Sequence, residues 1–187
     1  MKVYIIRHGE SETNLKKQWT GWANVHLTKA GKAQAQKAGE RLKNIRFDKI
    51  FTSDLVRAIE TATNALPEYS YETSELLREI NVGELSCNPL SCITDDERHI
   101  IAKDGYVIFN GESKTDFTNR IRKFMRELEM LDCENVAIFT HNGWLRTFLD
   151  EVVGFHIPRK TVMCNNCTTG IFEYINGAWK MHSWINL

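Results

Sequence analysis

Apolar and amphipathic segments alternate along the chain and are separated by turn residues. Residues 3–6 and 136–140 are apolar, mostly β-branched or aromatic runs bounded by polar residues, which predicts two short buried strands. Residues 48–53 predict a third strand of the same kind. Near the end of the chain, Asn176-Gly177 separates two alternating runs, and this pattern predicts a β-hairpin over residues 169–184.

Four segments carry apolar residues three or four positions apart, the spacing of amphipathic helices. Their boundaries have recognisable residues: Thr28 and Ser113 are candidate N-caps, Pro67 ends one helix, and Gly154 closes another. The predicted helices span residues 28–44, 54–66, 113–131 and 144–153.

The order of these elements predicts the topology. Strands followed by helices form βαβ units and hence an α/β protein with a mainly parallel sheet, to which the hairpin adds antiparallel edge strands. Residues 68–110 have weak periodicity and predict only one short helix, between Cys87 and Asp104. A chain of 187 residues is expected to form one domain, residues 1–187.

Composition narrows the possible partners and location. Lys and Arg number 24 and so do Asp and Glu, so no overall field attracts nucleic acid or an anionic membrane, and we expect neither as a partner. No apolar run approaches the ~20 residues that span a bilayer. The N-terminus lacks the basic and apolar regions of a secretory signal, so we expect a cytoplasmic protein.

Five cysteines are spread along the chain. An odd number in a chain of this size favours free thiols in a reducing compartment. Cys164-Asn-Asn-Cys167 together with Cys87 and Cys92 has the donors for a four-thiolate zinc site, but the second spacing is wide and neither pair forms a compact knuckle. Free thiols are therefore the favoured interpretation.

The first strand runs directly into Arg7-His8-Gly9. Ligands bind at the carboxyl ends of strands in open α/β sheets. Arg7 offers a rigid fork of donors for phosphate or carboxylate, His8 is a nucleophile when neutral, and Gly9 lets the backbone turn sharply. These residues suggest a phosphate bound by Arg7 and attacked by His8. The alternative is a turn with a surface histidine.

The second buried strand also ends in a histidine, His141, followed by Asn142-Gly143 and a helix. Helix N-termini bind anions through free N–H groups and the helix dipole. Two histidines at the carboxyl ends of two strands therefore favour one anion site.

Six blocks of the sequence, in order, resemble the histidine phosphatase superfamily, which includes the cofactor-dependent phosphoglycerate mutases. The blocks are residues 7–14 (RHGESETN), 27–31 (LTKAG), 53–62 (SDLVRAIETA), 77–83 (LREINVG), 111–113 (GES) and 140–146 (THNGWLR). The resemblance covers almost the whole chain and implies a three-layer α/β/α sandwich.

The resemblance also implies roles for individual residues. His8 would attack the phosphorus and carry a phosphohistidine, while Arg7 and Arg57 would clamp the non-bridging oxygens. A protonated His141 would add a third cationic donor, and Glu79 would protonate the leaving oxygen and then activate water. The remaining phosphate contacts would come from Asn14, Thr20, Gly21 and the N–H of Asn142. No metal and no cofactor is expected, because the arginines neutralise the charge.

The resemblance implies a phosphomonoesterase acting on a small phosphorylated metabolite, or a phosphoglycerate mutase using the same site. An inactive member that acts as a binding or signalling module is a further alternative. The Thr20-Gly21-Trp22 turn resembles the mutases. Mutases of the family, however, carry a long basic insertion, whereas residues 83–111 here are few, acidic in the centre, and contain only Arg98 and Lys103 as cations. We therefore expect a phosphatase, with specificity residing in residues 86–110.

Two departures from the family pattern affect the site. Asn142 stands where the family usually has glycine, which alters the turn after His141. The family's Trp-Glu-Gly after Gly83 is replaced by Leu85-Ser86-Cys87, which alters the mouth of the pocket.

Overall fold

In the computed structural model, which describes residues 1–186, six strands form one mixed sheet. They are β1 (Lys2–Arg7), β2 (Lys49–Ser53), β3 (Glu72–Ser74), β4 (Asn135–Thr140), β5 (Thr169–Ile175) and β6 (Ala178–Ile185). Their order across the sheet is β3-β2-β4-β1-β5-β6. Strands β1 to β4 are mutually parallel, and β5 runs antiparallel to β1. The expected mainly parallel sheet is confirmed.

The C-terminal hairpin forms one side of this sheet, as predicted. Strand β5 pairs with β1, and β6 pairs with β5 and lies at the edge. Asn176 and Gly177 have φ values of 53° and 76°, the left-handed backbone that a tight hairpin turn requires.

Six α-helices accompany the sheet: α1 (Glu12–Leu15), α2 (Lys29–Leu42), α3 (Val56–Ala65), α4 (Asp95–Asp104), α5 (Lys114–Glu129) and α6 (Asn142–Val153). Residues of α2 and α3 pack with Ile6 and Phe139 on one face of the sheet. Residues of α5 and α6 pack with Ile5 and Ile138 on the other face. Because successive strand residues point to opposite faces, β1 and β4 supply both cores, and the three-layer α/β/α arrangement is confirmed.

The predicted caps hold, with small shifts in two helix starts. The Thr28 and Ser113 side chains accept the N–H groups of Gly31 and Asp116, and Gly154 ends α6 with φ 79°. Helix α3 begins at Val56 rather than Asp54, because Asp54 pairs with Arg78 instead. Helix α6 begins at Asn142 rather than Trp144, with His141 as its N-cap residue.

The weakly periodic segment folds over the carboxyl edge of the sheet. It contains strand β3, helix α4 and three short 3-10 turns (Glu75–Leu77, Gly83–Leu85 and Val107–Phe109). Val82, Leu85, Ile93 and Tyr106 form a small core of their own, separate from the two main ones. No helix within residues 1–186 is long and apolar enough to cross a membrane.

Candidate active site

The two histidines lie side by side at the carboxyl edge of the sheet. Strands β1 and β4 are neighbours, and their register pairs Arg7 with Thr140, the residues that immediately precede His8 and His141. The two imidazole ring centroids are 5.2 Å apart. Two motifs that are separated by more than a hundred residues in sequence therefore share one site.

His8 is held as a neutral imidazole with one ring nitrogen facing Arg57. Its Nδ1 lies 2.7 Å from the Gly9 carbonyl oxygen, which can only accept, so Nδ1 carries the proton. Its Nε2 accepts a hydrogen bond from Arg57 Nε at 3.3 Å. Burial, with the cations of Arg57 and Arg7, lowers the pKa of His8 well below its ordinary value. The unprotonated nitrogen needed for nucleophilic attack is thus Nε2.

Arg57 is a fully buried cation at the start of α3. Its Nη1 and Nη2 donate to the carbonyl oxygens of Ala23 and Gly21 at 2.9 and 2.8 Å. Burial lowers its pKa to about 10, so it stays charged at neutral pH. A guanidinium has five N–H groups, and these bonds engage three of them, which leaves two for a ligand.

Arg7 supplies a second cation and an unpaired donor. One of its terminal nitrogens donates to the Cys164 carbonyl oxygen, while its buried Nε has no partner among residues 1–186. Burial lowers the pKa of Arg7. A buried N–H without a partner is costly unless a ligand accepts it, so this atom marks a place for an anion.

His141 is completely buried and offers a second unpaired atom. Its Nε2 lies 2.9 Å from Ser53 Oγ, and Ser53 Oγ already accepts the N–H of Leu55. Within residues 1–186 the Ser53 hydroxyl hydrogen has no acceptor other than His141 Nε2, so the hydroxyl donates to Nε2 and the proton of a neutral His141 lies on Nδ1. That Nδ1 has no partner within residues 1–186. Burial, followed by the Arg57 charge, lowers the pKa of His141 well below its ordinary value.

The geometry therefore changes the chemistry expected of His141. The sequence interpretation made a cationic donor at His141 conditional on its protonation, and the burial of the ring favours the neutral form, which donates through Nδ1–H. Either form directs an N–H group at the site.

Glu79 lies at the N-terminus of α6. Its Oε2 accepts the N–H of Gly143 and its Oε1 accepts the N–H of Ile80, both at 2.9 Å. A Cβ on Gly143 would lie 2.2 Å from Oε1, so only glycine allows this approach. The Glu79 carbonyl oxygen is fixed as well, since Trp22 Nε1 donates to it at 2.7 Å.

Asn14 and Asn142 are close to the histidines. Asn14 Oδ1 accepts from Asn166 Nδ2 at 3.1 Å, and Asn166 also donates to the His8 carbonyl oxygen. Asn14 Oδ1 also accepts the N–H of Ser11 at 3.2 Å, so this oxygen already has two donors within the protein. Asn142 Oδ1 accepts from Arg146 Nε, while its backbone N–H lies in the first turn of α6, where N–H groups have no partner within the helix.

Thr20 and Gly21 support the site in a different way. The Thr20 hydroxyl is 2.6 Å from the Thr13 hydroxyl, and Gly21, with φ 49°, presents its carbonyl oxygen to Arg57. These contacts position the loop and the arginine. Their contact with a bound phosphate stays a prediction.

A model of the histidine phosphatase superfamily (branch 1) matches residues 3–187. The chain belongs to this superfamily. The resemblance expected from the six sequence blocks is confirmed, and with it the assignment of the chain to an enzyme family whose members are phosphatases or mutases.

One relative and two solved structures illustrate what this member of the superfamily is similar to. A 2,3-bisphosphoglycerate-dependent phosphoglycerate mutase of Bartonella henselae is 31% identical, over 90% of this chain and 88% of the relative. A phosphoglycerate mutase of Thermus thermophilus superposes with a TM-score of 0.78 at 25% identity, covering 100% and 99% of the two chains. A phosphoserine phosphatase of Entamoeba histolytica, solved with 3-phosphoglyceric acid, gives 0.84 at 21% identity over 100% and 97%, which shows the shared fold alone.

The sequence analysis did not identify four residues of the site. They are Ser53, Asn166, Arg146 and Arg120. Ser53 and Arg146 lie inside two of the six sequence blocks, so their place in those blocks could have identified them as site residues. Asn166 and Arg120 gave no such signal, because the groups of the site that they contact are distant in sequence: His8 and Asn14 for Asn166, and the carbonyl oxygens of Leu76, Arg78 and Glu79 for Arg120.

Residues 1–186 contain no cluster of three or more His, Cys, Asp or Glu side chains arranged to hold a metal ion. Cys87 and Cys92 are exposed, whereas Cys164 and Cys167 are buried and pack in different apolar clusters.

Proposed function

We propose that the protein is a phosphomonoesterase that hydrolyses a small phosphorylated metabolite through a phosphohistidine on His8. The observation that carries this proposal is the state of His8: Nδ1 donates to the Gly9 carbonyl oxygen, while Nε2 is unprotonated and has Arg57 Nε as its one partner, at 3.3 Å, within residues 1–186. A structural histidine would have both nitrogens committed to permanent partners. Here the partner of Nε2 is a cation that itself binds phosphate oxygens.

In the first step His8 Nε2 attacks the phosphorus, and the bond between phosphorus and the ester oxygen breaks. Two cations, Arg7 and Arg57, and the N–H donors of His141 and Asn142 stabilise the charge on the phosphoryl oxygens. Glu79 gives its proton to the leaving oxygen. The Gly9 carbonyl oxygen keeps the proton on Nδ1, so the phosphorylated imidazole stays in one orientation.

In the second step Glu79 takes a proton from water, whose oxygen attacks the phosphohistidine. The bond between phosphorus and Nε2 breaks, its electron pair returns to Nε2, and inorganic phosphate leaves. This reverse proton transfer restores the starting state of both groups.

Hydrolysis is favoured over isomerisation by the space beside Glu79. A cavity of about 830 Å³ adjoins Gly143 and Ile80, the residues whose N–H groups hold the Glu79 carboxylate. A three-carbon acid would leave most of such a volume to water, and water competes with a phosphate acceptor for the phosphohistidine. A mutase has to exclude that water.

The nucleophile is tested by a matched pair of histidine variants. His8→Gln is expected to abolish turnover of p-nitrophenyl phosphate and the acid-labile, base-stable phosphate of rapidly quenched enzyme. His182→Gln, on the exposed edge strand β6, is expected to behave as the wild type. Activity of His8→Gln within about 10-fold of wild type would refute the mechanism.

Phosphoglycerate mutase is the second candidate, because the Bartonella henselae relative bears that name. The test supplies 3-phosphoglycerate with a trace of 2,3-bisphosphoglycerate and follows 2-phosphoglycerate and free phosphate together. Isomerisation faster than phosphate release from every ester in a panel of phosphorylated metabolites would replace the phosphatase proposal with this one.

A further inference from the structure

The cavity beside Glu79 is far larger than the proposed chemistry needs. Its volume of about 830 Å³ falls in the range of roughly 300–1,000 Å³ that accommodates drug-sized organic ligands. Its lining residues include Gly143 and Ile80, whose N–H groups donate to the carboxyl group that would protonate the leaving oxygen. A leaving group attached to that oxygen therefore extends into this cavity.

The cavity has apolar walls from two separate parts of the chain. One wall belongs to the small core of the segment after Glu79 and includes Trp19, Ile93 and Tyr106. The other is formed by Phe155 and Ile157 in the loop after α6. Phe155 is 66% exposed, although an aromatic ring of this size gains free energy when it is covered. These walls suit a bulky apolar group.

The same cavity carries an excess of positive charge, although the chain as a whole is neutral. Six cationic side chains line it, against the two carboxylates Asp150 and Glu151. Each carboxylate already has a partner, His156 and Arg122 respectively. Arg159 has no hydrogen-bonded or ion-pair partner for its side chain within residues 1–186, so its positive charge is available to a ligand.

Tyr106 connects this cation with the reacting end of the cavity. Tyr106 and Arg159 line the cavity together with Gly143, whose N–H donates to Glu79. Burial raises the pKa of Tyr106 to about 12, and its hydroxyl remains a donor at neutral pH. A donor and a free cation on an apolar wall match an anionic oxygen group at the end of an apolar body.

We propose that the substrate's leaving group is a bulky apolar, aromatic-sized body that carries a second anionic oxygen group, a carboxylate or another phosphate, bound by Arg159. The proposal rests on the proposed function for the position of the first phosphate. It names a subsite that is built by the 154–160 loop and the segment after Glu79, outside the residues that perform the phosphoryl transfer.

Binding of phosphonates tests the subsite apart from turnover, because phosphoryl transfer does not cleave their carbon–phosphorus bond. The probes are methylphosphonate, benzylphosphonate, 4-(phosphonomethyl)benzoate with its neutral amide, and the corresponding bisphosphonate, each measured by calorimetry with the wild-type protein. Naphthalene homologues of the acid and the amide provide a second length.

We expect benzylphosphonate to bind about 10-fold or more tightly than methylphosphonate because it buries an aromatic ring. At one of the two lengths the anionic compound should bind about 10-fold more tightly than its amide. The bisphosphonate shows whether the site prefers phosphate to carboxylate. In Arg159→Gln the ratio of acid to amide affinity should fall towards one.

Arg46→Gln is the matched control. Arg46 is an exposed arginine that precedes β2, at the amino ends of the parallel strands and therefore away from the site at their carboxyl ends. Its affinity ratio should equal that of the wild type. Equal binding of acid and amide by the wild type at both lengths, or an unchanged ratio in Arg159→Gln, would overturn the proposal. If the wild type shows no turnover and forms no phosphohistidine, but its ratio of acid to amide affinity is as expected, the proposed function is overturned and the subsite is supported.

Discussion

Arg120 in α5 is expected to be the main tether of the segment that carries Glu79. Its guanidinium bonds both oxygens of Glu112 at 3.0 and 2.9 Å. It also donates to the carbonyl oxygens of Leu76, Arg78 and Glu79 at 2.9, 2.8 and 3.1 Å. Replacement by methionine keeps much of the side-chain volume and removes all five bonds.

The size of the effect follows from burial. Arg120 and Glu112 are each only 13% exposed, so Arg120→Met leaves a largely buried carboxylate without its cation. Removal of one partner from a buried pair costs about 3–5 kcal/mol. Glu112 keeps one other donor, the N–H of Asn81 at 3.2 Å. We therefore expect the free energy of unfolding to fall by about 3 kcal/mol, the lower end of that range.

The same helix offers a matched control. Arg122 also forms a two-point ion pair, with Glu151, but its side chain is 52% exposed. Arg122→Met is expected to lower the free energy of unfolding by less than about 1 kcal/mol, because solvent screens such a pair. Urea denaturation of both variants measures the difference. Equal losses in the two variants would refute the reasoning.

Arg120→Met also has a kinetic signature that a purely structural role would not produce. The substitution removes one of the two donors to the Glu79 carbonyl oxygen, the other being Trp22 Nε1, and the bonds that Arg120 donates to the preceding carbonyls of Leu76 and Arg78. Proton transfer to the leaving oxygen should therefore be impaired more than phosphate binding. Alkyl phosphates, which need a proton on the leaving oxygen, should lose more of their kcat than p-nitrophenyl phosphate. An equal loss of kcat for both substrates would argue against a positioning role.

Three further predictions concern groups around the histidines. Gly143→Ala places a Cβ about 2.2 Å from Glu79 Oε1, so the carboxylate has to move; kcat for alkyl phosphates should fall about 10²-fold, and an unchanged kcat would refute this. Ser53→Ala removes the hydroxyl that donates to His141 Nε2 and so keeps the His141 proton on Nδ1. The kcat for p-nitrophenyl phosphate should fall about 10-fold in this variant, whereas Ser53→Thr, which keeps a hydroxyl, should have the wild-type kcat. His8 and His141 are buried and their pKa values are lowered, so below about pH 6.5 the unfolded chain binds protons at these histidines that the folded protein does not. As the pH falls from 6.5 to 5, the two histidines together should lower the free energy of unfolding by up to about 2.7 kcal/mol per pH unit. In His141→Gln the urea midpoint should show half of this pH dependence over the same range. Wild-type midpoints that do not change with pH would contradict the prediction.

The sequence contains enough to predict the elements that build the sheet. Strands β1 and β4 are buried on both faces and therefore read as continuous apolar runs, and each delivers its histidine to the same edge. Thr28, Ser113 and Gly154 act through local hydrogen bonds or backbone conformation, which a short stretch of sequence specifies. Local rules were sufficient for these elements.

The segment after α3 was not predictable in the same way. Helix α4 confirms the one short helix expected between Cys87 and Asp104, but it buries none of its residues, so no apolar stripe marked its bounds. Strand β3, which is only three residues long, was not predicted. The site shows the same division. His8 and His141 follow strands that can be recognised, whereas the bond between His141 and Ser53 joins residues 88 positions apart and follows only from the pairing of β2 with β4.

The cavity changes the grounds for choosing between hydrolysis and isomerisation. In sequence, the segment between Gly83 and Gly111 carries few cations, which argued against a bisphosphate site. In the structure, Arg146, Arg159 and Lys160 reach the same cavity from α6 and the loop that follows it. Charge around the cavity therefore does not separate the two reactions. The remaining ground for hydrolysis is the cavity of about 830 Å³, which is lined by Gly143 and Ile80 beside Glu79. We expect water in this volume to compete for a phosphohistidine on His8 unless the substrate fills the cavity. The partition of that intermediate between water and an added acceptor then distinguishes a phosphatase from a mutase.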